Sequence, residues 1–342
     1  MLLARMGTES SGLSFEQIAA ARERIAGKVS VTPVHTSTTL DEKADAKLYF
    51  KCENFQKCGA FKARGATNAV FALSTTQAQR GVATHSSGNH AAALARAAAL
   101  RAIPAYIVMP ENTPRAKRAN VERFGAKVTY CAPTLVARER AARELIEATG
   151  ATLVHPYDDL AVMAGQGTCA LEFLGQVPEL DVILTPVGGG GLVSGTAVAA
   201  KSLRNRIRII GVEPAGADDA ARSFRAGRLF PSEHPNTIAD GLRGALSERT
   251  FTEIRRRVDD IVTVSEEAII GAMRELWEVL KIVVEPSGAV AYAALREPRE
   301  SWRGRRIGIV LTGGNLDLDR LPWMGSADEQ REPERELRRA RE

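Results

Sequence analysis

Between Gly81 and Leu311 short runs of β-branched and apolar residues alternate with helical patterns, and that alternation leaves few folds open. Residues 82–85, 105–109, 127–131 and 152–155 read as strands, each followed by a helical stretch: 89–99, 114–124, 138–149 and 165–174. A second series follows, with strands at 181–187, 206–213 and 306–311 and helices at 264–280 and 286–295. Strands separated by helices of this length predict βαβ units, and so parallel sheets flanked by helices. Ahead of Gly81, Ser14 with Gln17 forms a capping box that opens a helix running to Ala26. An extended passage begins at Thr32, residues 47–51 read as a strand, and a helix starts near Arg64 with Ala66, Ala69, Val70 and Ala72 on one face.

A chain of 342 residues exceeds what one hydrophobic core usually serves, about 250–300 residues, so two lobes are expected. The break in pattern places a small lobe at 81–157 and a large one built from both chain ends, 1–80 and 158–326. Residues 327–342 carry five arginines and six acids with Leu337 as their one large apolar side chain, the composition of a disordered tail.

Charge excludes more than it suggests. Of the 46 basic residues 36 are arginine, scattered among 41 acids rather than gathered on one face, which argues against nucleic acid. No uninterrupted apolar run reaches the ~18 residues a membrane helix needs, and Met1–Met6 lacks a secretory apolar core. Cys52, Cys58, Cys131 and Cys169 form no CxxC pair, so neither a zinc site nor a disulfide framework is expected, and the reducing cytoplasm is the expected compartment.

Four loops between strands and helices carry the chemistry. Gly188–Gly191 follows a buried strand and precedes a helix start; bare backbone amides plus a helix N-terminus suit a phosphate, although a tight turn would also use glycine. The run fits neither GxGxxG nor GxxxxGK[ST], which disfavours dinucleotides, nicotinamide oxidoreduction and P-loop triphosphates. Ser86, Ser87, Asn89 and His90 combine hydroxyls, an amide and an imidazole at a helix start, which suits a carboxylate or simply a helix cap. Thr312-Gly313-Gly314-Asn315 ends a strand, and Phe61-Lys62 opens a helix. Glu213 to Asp219 holds three carboxylates, a spacing suited to Mg²⁺ or Ca²⁺ but also to an ordinary solvated loop. A loop lysine beside a phosphate cradle fits pyridoxal phosphate tethered through an amine.

These motifs, Asn54 to Lys57, Phe61 to Gly65, Ser86 to His90, Gly188 to Gly191, Glu213 to Asp219, Ile238 to Gly241 and Thr312 to Asn315, resemble the serine racemase and threonine (serine) dehydratase group. That group belongs to the tryptophan-synthase-β-like, fold type II enzymes of pyridoxal 5'-phosphate, and the likeness runs from about Thr32 to Leu316. The resemblance implies an α/β, two-lobed fold with a mostly parallel twisted sheet in each lobe, the small lobe mobile, and a homodimer. It makes Lys62 the cofactor-bearing lysine and base, and Ser87 the hydroxyl serving the opposite face of the α-carbon. Phe61 would pack near the ring, Asn89 would meet its 3'-oxygen, and Gly188 to Gly191 with Leu192 would take the phosphate. Ser86, Asn89, His90 and Arg138 fall on the substrate side, and Glu213, Ala217 and Asp219 match ligands of a divalent cation (Mg, Mn or Ca).

Thr312 stands where the group commonly has serine or cysteine facing the pyridine nitrogen. A neutral hydroxyl there cannot stabilise a protonated ring as a carboxylate would, which favours prompt loss of a β-hydroxyl. The expected activity is an ammonia-lyase acting on L-threonine or L-serine to give a 2-oxo acid and ammonia. The alternatives are a serine racemase with side dehydratase activity, or a dehydratase for threo-3-hydroxyaspartate or phenylserine. The non-enzymatic alternative is an amino-acid sensor that kept the fold, which the presence of Lys62 disfavours.

Overall fold

The computed structural model describes residues 12–86, 88–113, 115–296 and 302–324. Ser87, Pro114 and the tail at 327–342 lie outside them.

In chain order the first third comprises α1 (Phe15–Ile25), β1 (Val34–His35), α2 (Thr38–Ala44), β2 (Lys47–Cys52), α3 (Lys62–Ala72), α4 (Thr75–Arg80), β3 (Val82–Thr84) and α5 (Asn89–Arg101). Then come β4 (Ala105–Pro110), α6 (Arg115–Glu122), β5 (Lys127–Cys131), α7 (Leu135–Thr149), β6 (Thr152–Leu153), α8 (Leu160–Gln176), β7 (Val182–Pro186) and α9 (Gly191–Leu203). The last part holds β8 (Arg208–Pro214), α10 (Asp219–Ala226), α11 (Glu248–Arg257), β9 (Asp260–Val264), α12 (Glu266–Glu275), α13 (Pro286–Ala293) and β10 (Arg306–Leu311).

The strands form two sheets. One has six strands in the order β1-β2-β10-β7-β8-β9, with only the β1–β2 pair antiparallel; the other is a parallel four-stranded sheet ordered β5-β4-β3-β6. The six-stranded sheet draws on both ends of the chain, whereas the smaller one lies entirely within 82–153. Each has its own apolar packing: Phe50, Leu184, Ile210, Val262 and Ile309 on one face of the first, and Val82, Ile107 and Met109 under the alanine face of α5 in the second.

Local signals account for the helix starts. Ser14 Oγ accepts from Gln17 N at 3.3 Å while Gln17 Oε1 accepts from Ser14 N at 2.9 Å, the expected capping box. Asp159 Oδ1 caps α8 through Ala161 N and Val162 N, and Ser265 caps α12. Three differences from the sequence pattern have physical causes. Helix α3 begins at Lys62, two residues early, because Phe61 already has helical backbone angles. The long helix expected at 264–280 is α12 followed by a π-helical turn at Leu276–Leu280, and Val264 itself ends β9, a β-branched edge strand the pattern passed over. Helices α2, α4, α10 and α11 are short, six to ten residues, too brief for periodicity to register. No described helix is long and apolar enough to cross a membrane.

In both sheets the loops after the carboxyl ends of strands face a common cleft, as open α/β sheets dispose their ligand sites. The loops after β2, β7 and β10 enter it from one side and those after β3 and β6 from the other.

Candidate active site

The cleft holds a cavity of about 320 Å³. Phe61, Lys62, Ser86, Asn89, His90, Arg138, Gly188 to Gly191, Leu192 and Thr312 all line it, so four loops far apart in sequence meet at one place.

Lys62 is the first residue of α3, and its Nζ donates to Pro156 O at 2.8 Å and lies 5.1 Å from the Phe61 ring centroid. Burial alone pushes its amine down to about 8, because desolvation disfavours the charged form. A substantial neutral fraction near pH 8 makes it a competent nucleophile and base.

The glycine run bridges β7 and α9. Gly190 is left-handed (φ +83°) immediately before the first turn of α9, where the helix N-terminus presents unpaired amides to an anion. Phosphate is only half the reason for bare backbone here. A Cβ on Gly189 would lie 2.3 Å from the Tyr157 ring and one on Gly191 3.0 Å from Tyr157 Cβ, so the glycines also admit an aromatic wall. Neither Tyr157 nor its neighbour His155 was singled out in the sequence. Their position directly after the strand at 152–153 was the available signal.

At the opposite wall Asn89 Nδ2 donates to Glu285 Oε1 at 2.8 Å, and Asn89 Oδ1 accepts from Asn315 Nδ2 at 2.9 Å. Glu285 Oε2 accepts from Asn315 N at 3.1 Å, which fixes the Asn89 amide plane. Glu285, the residue before Pro286 at the start of α13, was likewise not singled out. Thr312 Oγ1, at the end of β10, is buried and donates to Ser287 O at 3.3 Å. Ser86 Oγ accepts from Gly88 N at 3.4 Å, so it helps to shape the turn before α5.

His90 departs from its expected use. Its Nε2 meets Val154 O at 3.0 Å, and burial, reinforced by Lys62, pushes its pKa down to about 3. The ring is therefore neutral with its one N–H committed to a carbonyl; what remains is the Nδ1 acceptor, which cannot bind a carboxylate.

Arg138, on α7, reaches the cavity with its Nε buried and without a hydrogen-bond partner among the described residues. Nearby, His85 and His155 stack edge-on at 5.8 Å, and His155 meets Tyr157 at 4.6 Å. His155 Nδ1 accepts from Asp158 N at 2.9 Å, which leaves Nε2 to carry the proton. Burial, and secondarily His85, push His155 down to about 4. One end of the cavity thus gathers a guanidinium and two imidazoles, with the Glu139 and Asp158 carboxylates acting on the imidazoles from outside the lining.

Glu213 is the penultimate residue of β8 and Asp219 begins α10; neither lines the cavity. Glu213 accepts from Ala220 N at 3.1 Å and Ala221 N at 2.9 Å, yet burial and then Asp219 push it up to about 9. Asp219 is pushed up to about 6, chiefly by burial. Its oxygens make no well-formed hydrogen bond, although Leu246 N–H and the Ser232 hydroxyl lie near enough to offset part of the rise. Among the described residues no three His, Cys, Asp or Glu side chains group as a metal site. The arrangement here is two carboxyls, with buried Ala217 in the tight turn between them.

Comparison with known proteins bears on the family and the fold. The family model described as "Pyridoxal-phosphate dependent enzyme" matches residues 25–313. The chain is 48% identical over 310 residues to a protein of Paracoccus denitrificans named beta-hydroxyaspartate dehydratase, covering 91% of this chain and 98% of that one. It is 50% identical over 308 residues to a serine racemase of Arabidopsis thaliana, covering 88% and 92%. The solved structure of maize serine racemase superposes with a TM-score of 0.89 at 44% identity, covering 97% of this chain and 100% of that one.

Proposed function

The chain belongs to the pyridoxal-phosphate-dependent enzymes, of the fold type II architecture, and from that premise we propose that it eliminates water from a β-hydroxy amino acid bearing a second carboxylate. A 3-hydroxyaspartate would leave as a 2-oxo diacid and ammonia. The observation that carries this reading is the unpartnered Arg138 Nε at the imidazole-lined end of the cavity. Threonine and serine, the substrates first expected, offer that end no anion. The 48% identity to the dehydratase of Paracoccus denitrificans supports the same choice.

The residues present fit the cofactor. Lys62 Nζ would carry it, Gly188 to Gly191 with Leu192 would hold its phosphate, Asn89 would meet its ring oxygen, and Thr312 would face its ring nitrogen. When bound, the cofactor delocalises negative charge from the substrate α-carbon and so makes the α-proton acidic. Lys62 Nζ, neutral in part near pH 8, takes that proton. Ser86 and the N-terminus of α5 receive the α-carboxylate, Arg138 and the His155 Nε2–H hold the distal one, and the Tyr157 ring keeps water off the glycine run.

The Glu213–Asp219 pair fits a divalent cation, with Ala217 O as a third ligand. Two carboxyls that burial pushes up, Glu213 further by Asp219, are relieved by a shared positive charge. We also take residues 81–157 as a lobe that closes on the substrate against 1–80 and 158–326.

A panel of serine, threonine and 3-hydroxyaspartate in all configurations, assayed for 2-oxo acid and for enantiomer exchange with and without chelator, tests this. Turnover of 3-hydroxyaspartate should lead, and Arg138→Met should lower its kcat/KM by about 100-fold or more, as for a lost charged hydrogen bond of ~3 kcal/mol, while serine changes little. Equal loss on both substrates would sink the assignment. Serine racemisation is the second reading, supported by the Arabidopsis relative; on that reading enantiomer exchange outpaces elimination and Ser87→Ala removes it preferentially.

A further inference from the structure

Arg64 is among the largest fully buried side chains, two residues after Lys62 in the first turn of α3. Its five N–H groups are all used. Nε and Nη2 form a fork on Glu53 at 2.8 and 2.7 Å. Nη1 and Nη2 form a second on Glu172 at 3.1 and 3.0 Å, and Nη1 also meets Thr168 Oγ1 at 3.4 Å. Lys51 completes the cluster: its Nζ donates to Glu172 Oε1 at 2.5 Å, to Gln176 Oε1 at 2.7 Å and to Thr32 O at 2.8 Å. Two cations face two anions, and every ammonium and guanidinium donor is satisfied.

Such clusters are weak sources of stability, because desolvating the ions consumes most of the attraction and well-packed apolar side chains do as well. Their distinct property is direction: a planar fork fixes orientation as well as distance. At this helix start direction has to come from somewhere, since Phe61 provides no side-chain cap. The partner surface is α8, whose Thr168, Glu172 and Gln176 recur every four residues on one face. Gly65 N donates to Gln166 Oε1 at 3.2 Å, and a Cβ on Gly165 would lie 2.6 Å from Gly65 Cα, so the two backbones touch beside the fork.

We propose that Arg64 is a positioning residue, whose fork on Glu53 and Glu172 sets the rotation of the first turn of α3 and thereby where Lys62 Nζ stands. This deepens the proposed function, since it rests on Lys62 being the reactive amine. The cluster acts through geometry rather than charge: burial is the one cause that lowers Lys62, with no contribution from the neutral cluster. Lys62 displaced from its pocket would therefore regain water and return toward an ordinary lysine.

The test uses the full chain with Arg64→Lys, which keeps the charge and loses the fork, in cofactor-loaded and cofactor-stripped form. Competitive amine labelling read by mass spectrometry gives the titration midpoint of Lys62 in the stripped protein; kcat and KM are measured on the loaded one. The midpoint should rise by about a pH unit or more from its value near 8. A displacement of about 1 Å should lower kcat some hundredfold with KM changed less than about threefold. An unchanged midpoint in folded Arg64→Lys, with kcat falling only as the folded fraction falls, would overturn the proposal. Glu172→Gln, which removes one arm at the partly exposed side, gives the same readouts if Arg64→Lys does not fold. Wild-type protein that takes up no cofactor would refute the dehydratase reading, yet the labelling result would still decide the role of Arg64.

Discussion

Replacing Glu213 by glutamine isolates the proposed cation site. The Glu213 carboxyl is held near 9 against an ordinary 4.5, so the unfolded chain releases its proton first and stability is lost as pH rises between those values. At pH 8 the gap to the ordinary value spans 3.5 pH units, which corresponds to roughly 5 kcal/mol of native-state penalty without a cation. Glutamine removes the titration but can serve only one of the two backbone donors, Ala220 N and Ala221 N, and so returns about 1–2 kcal/mol. A net gain of about 3 kcal/mol is expected for the chelated variant at pH 8, several degrees in melting temperature. At pH 5, close to the ordinary value, the unfolded carboxyl gives up little by taking its proton back, so the gain should vanish or reverse. Mg²⁺, Mn²⁺ or Ca²⁺ at a hundredfold excess over Kd should stabilise wild type by ~2.7 kcal/mol and leave the variant unmoved. Thermal melts of both proteins at pH 5 and 8, with chelator and with each cation, decide the matter. A wild-type melt indifferent to chelation at pH 8, together with a variant no more stable at pH 8 than at pH 5, would refute the reasoning.

Other outcomes follow from the same geometry. Uptake of pyridoxal phosphate by stripped protein requires neutral Lys62, so its rate should climb about tenfold per pH unit and level off above pH ~8; a climb continuing to pH ~10 would mark Lys62 as an ordinary lysine. Lys62→Ala should abolish both the visible absorption of the bound cofactor and turnover, and retained turnover would overturn the assignment of the base. Gly189→Ala forces the Tyr157 ring away from a contact of 2.3 Å and should weaken cofactor binding, measured by absorbance titration, while adding Tyr157→Ala should recover part of it. If the double variant binds no better than the single, the ring is not what the glycine accommodates.

The loops that carry chemistry were legible because each breaks a strong period. Four glycines after a buried strand, or a lysine between an aromatic and a helix start, cannot be mistaken for core. His155, Tyr157 and Glu285 were not legible: each is an ordinary residue beside an ordinary turn, and only proximity to Gly189, His85 or Asn89 gives it meaning. Arg64 looked like one more helical arginine, although it is the most thoroughly bonded side chain near the site.

What the linear order of residues decides here is local. Periodicity, caps and glycine placement dictate which segments become strands and helices, and hence that parallel sheets form with their loops at the carboxyl ends. Charge state is decided elsewhere. That Lys62 is lowered, that His90 is a neutral acceptor, and that burial and Asp219 push Glu213 up all depend on how much water is excluded and which groups are brought within reach. Desolvation and proximity belong to the packed chain, and no spacing along the sequence encodes them.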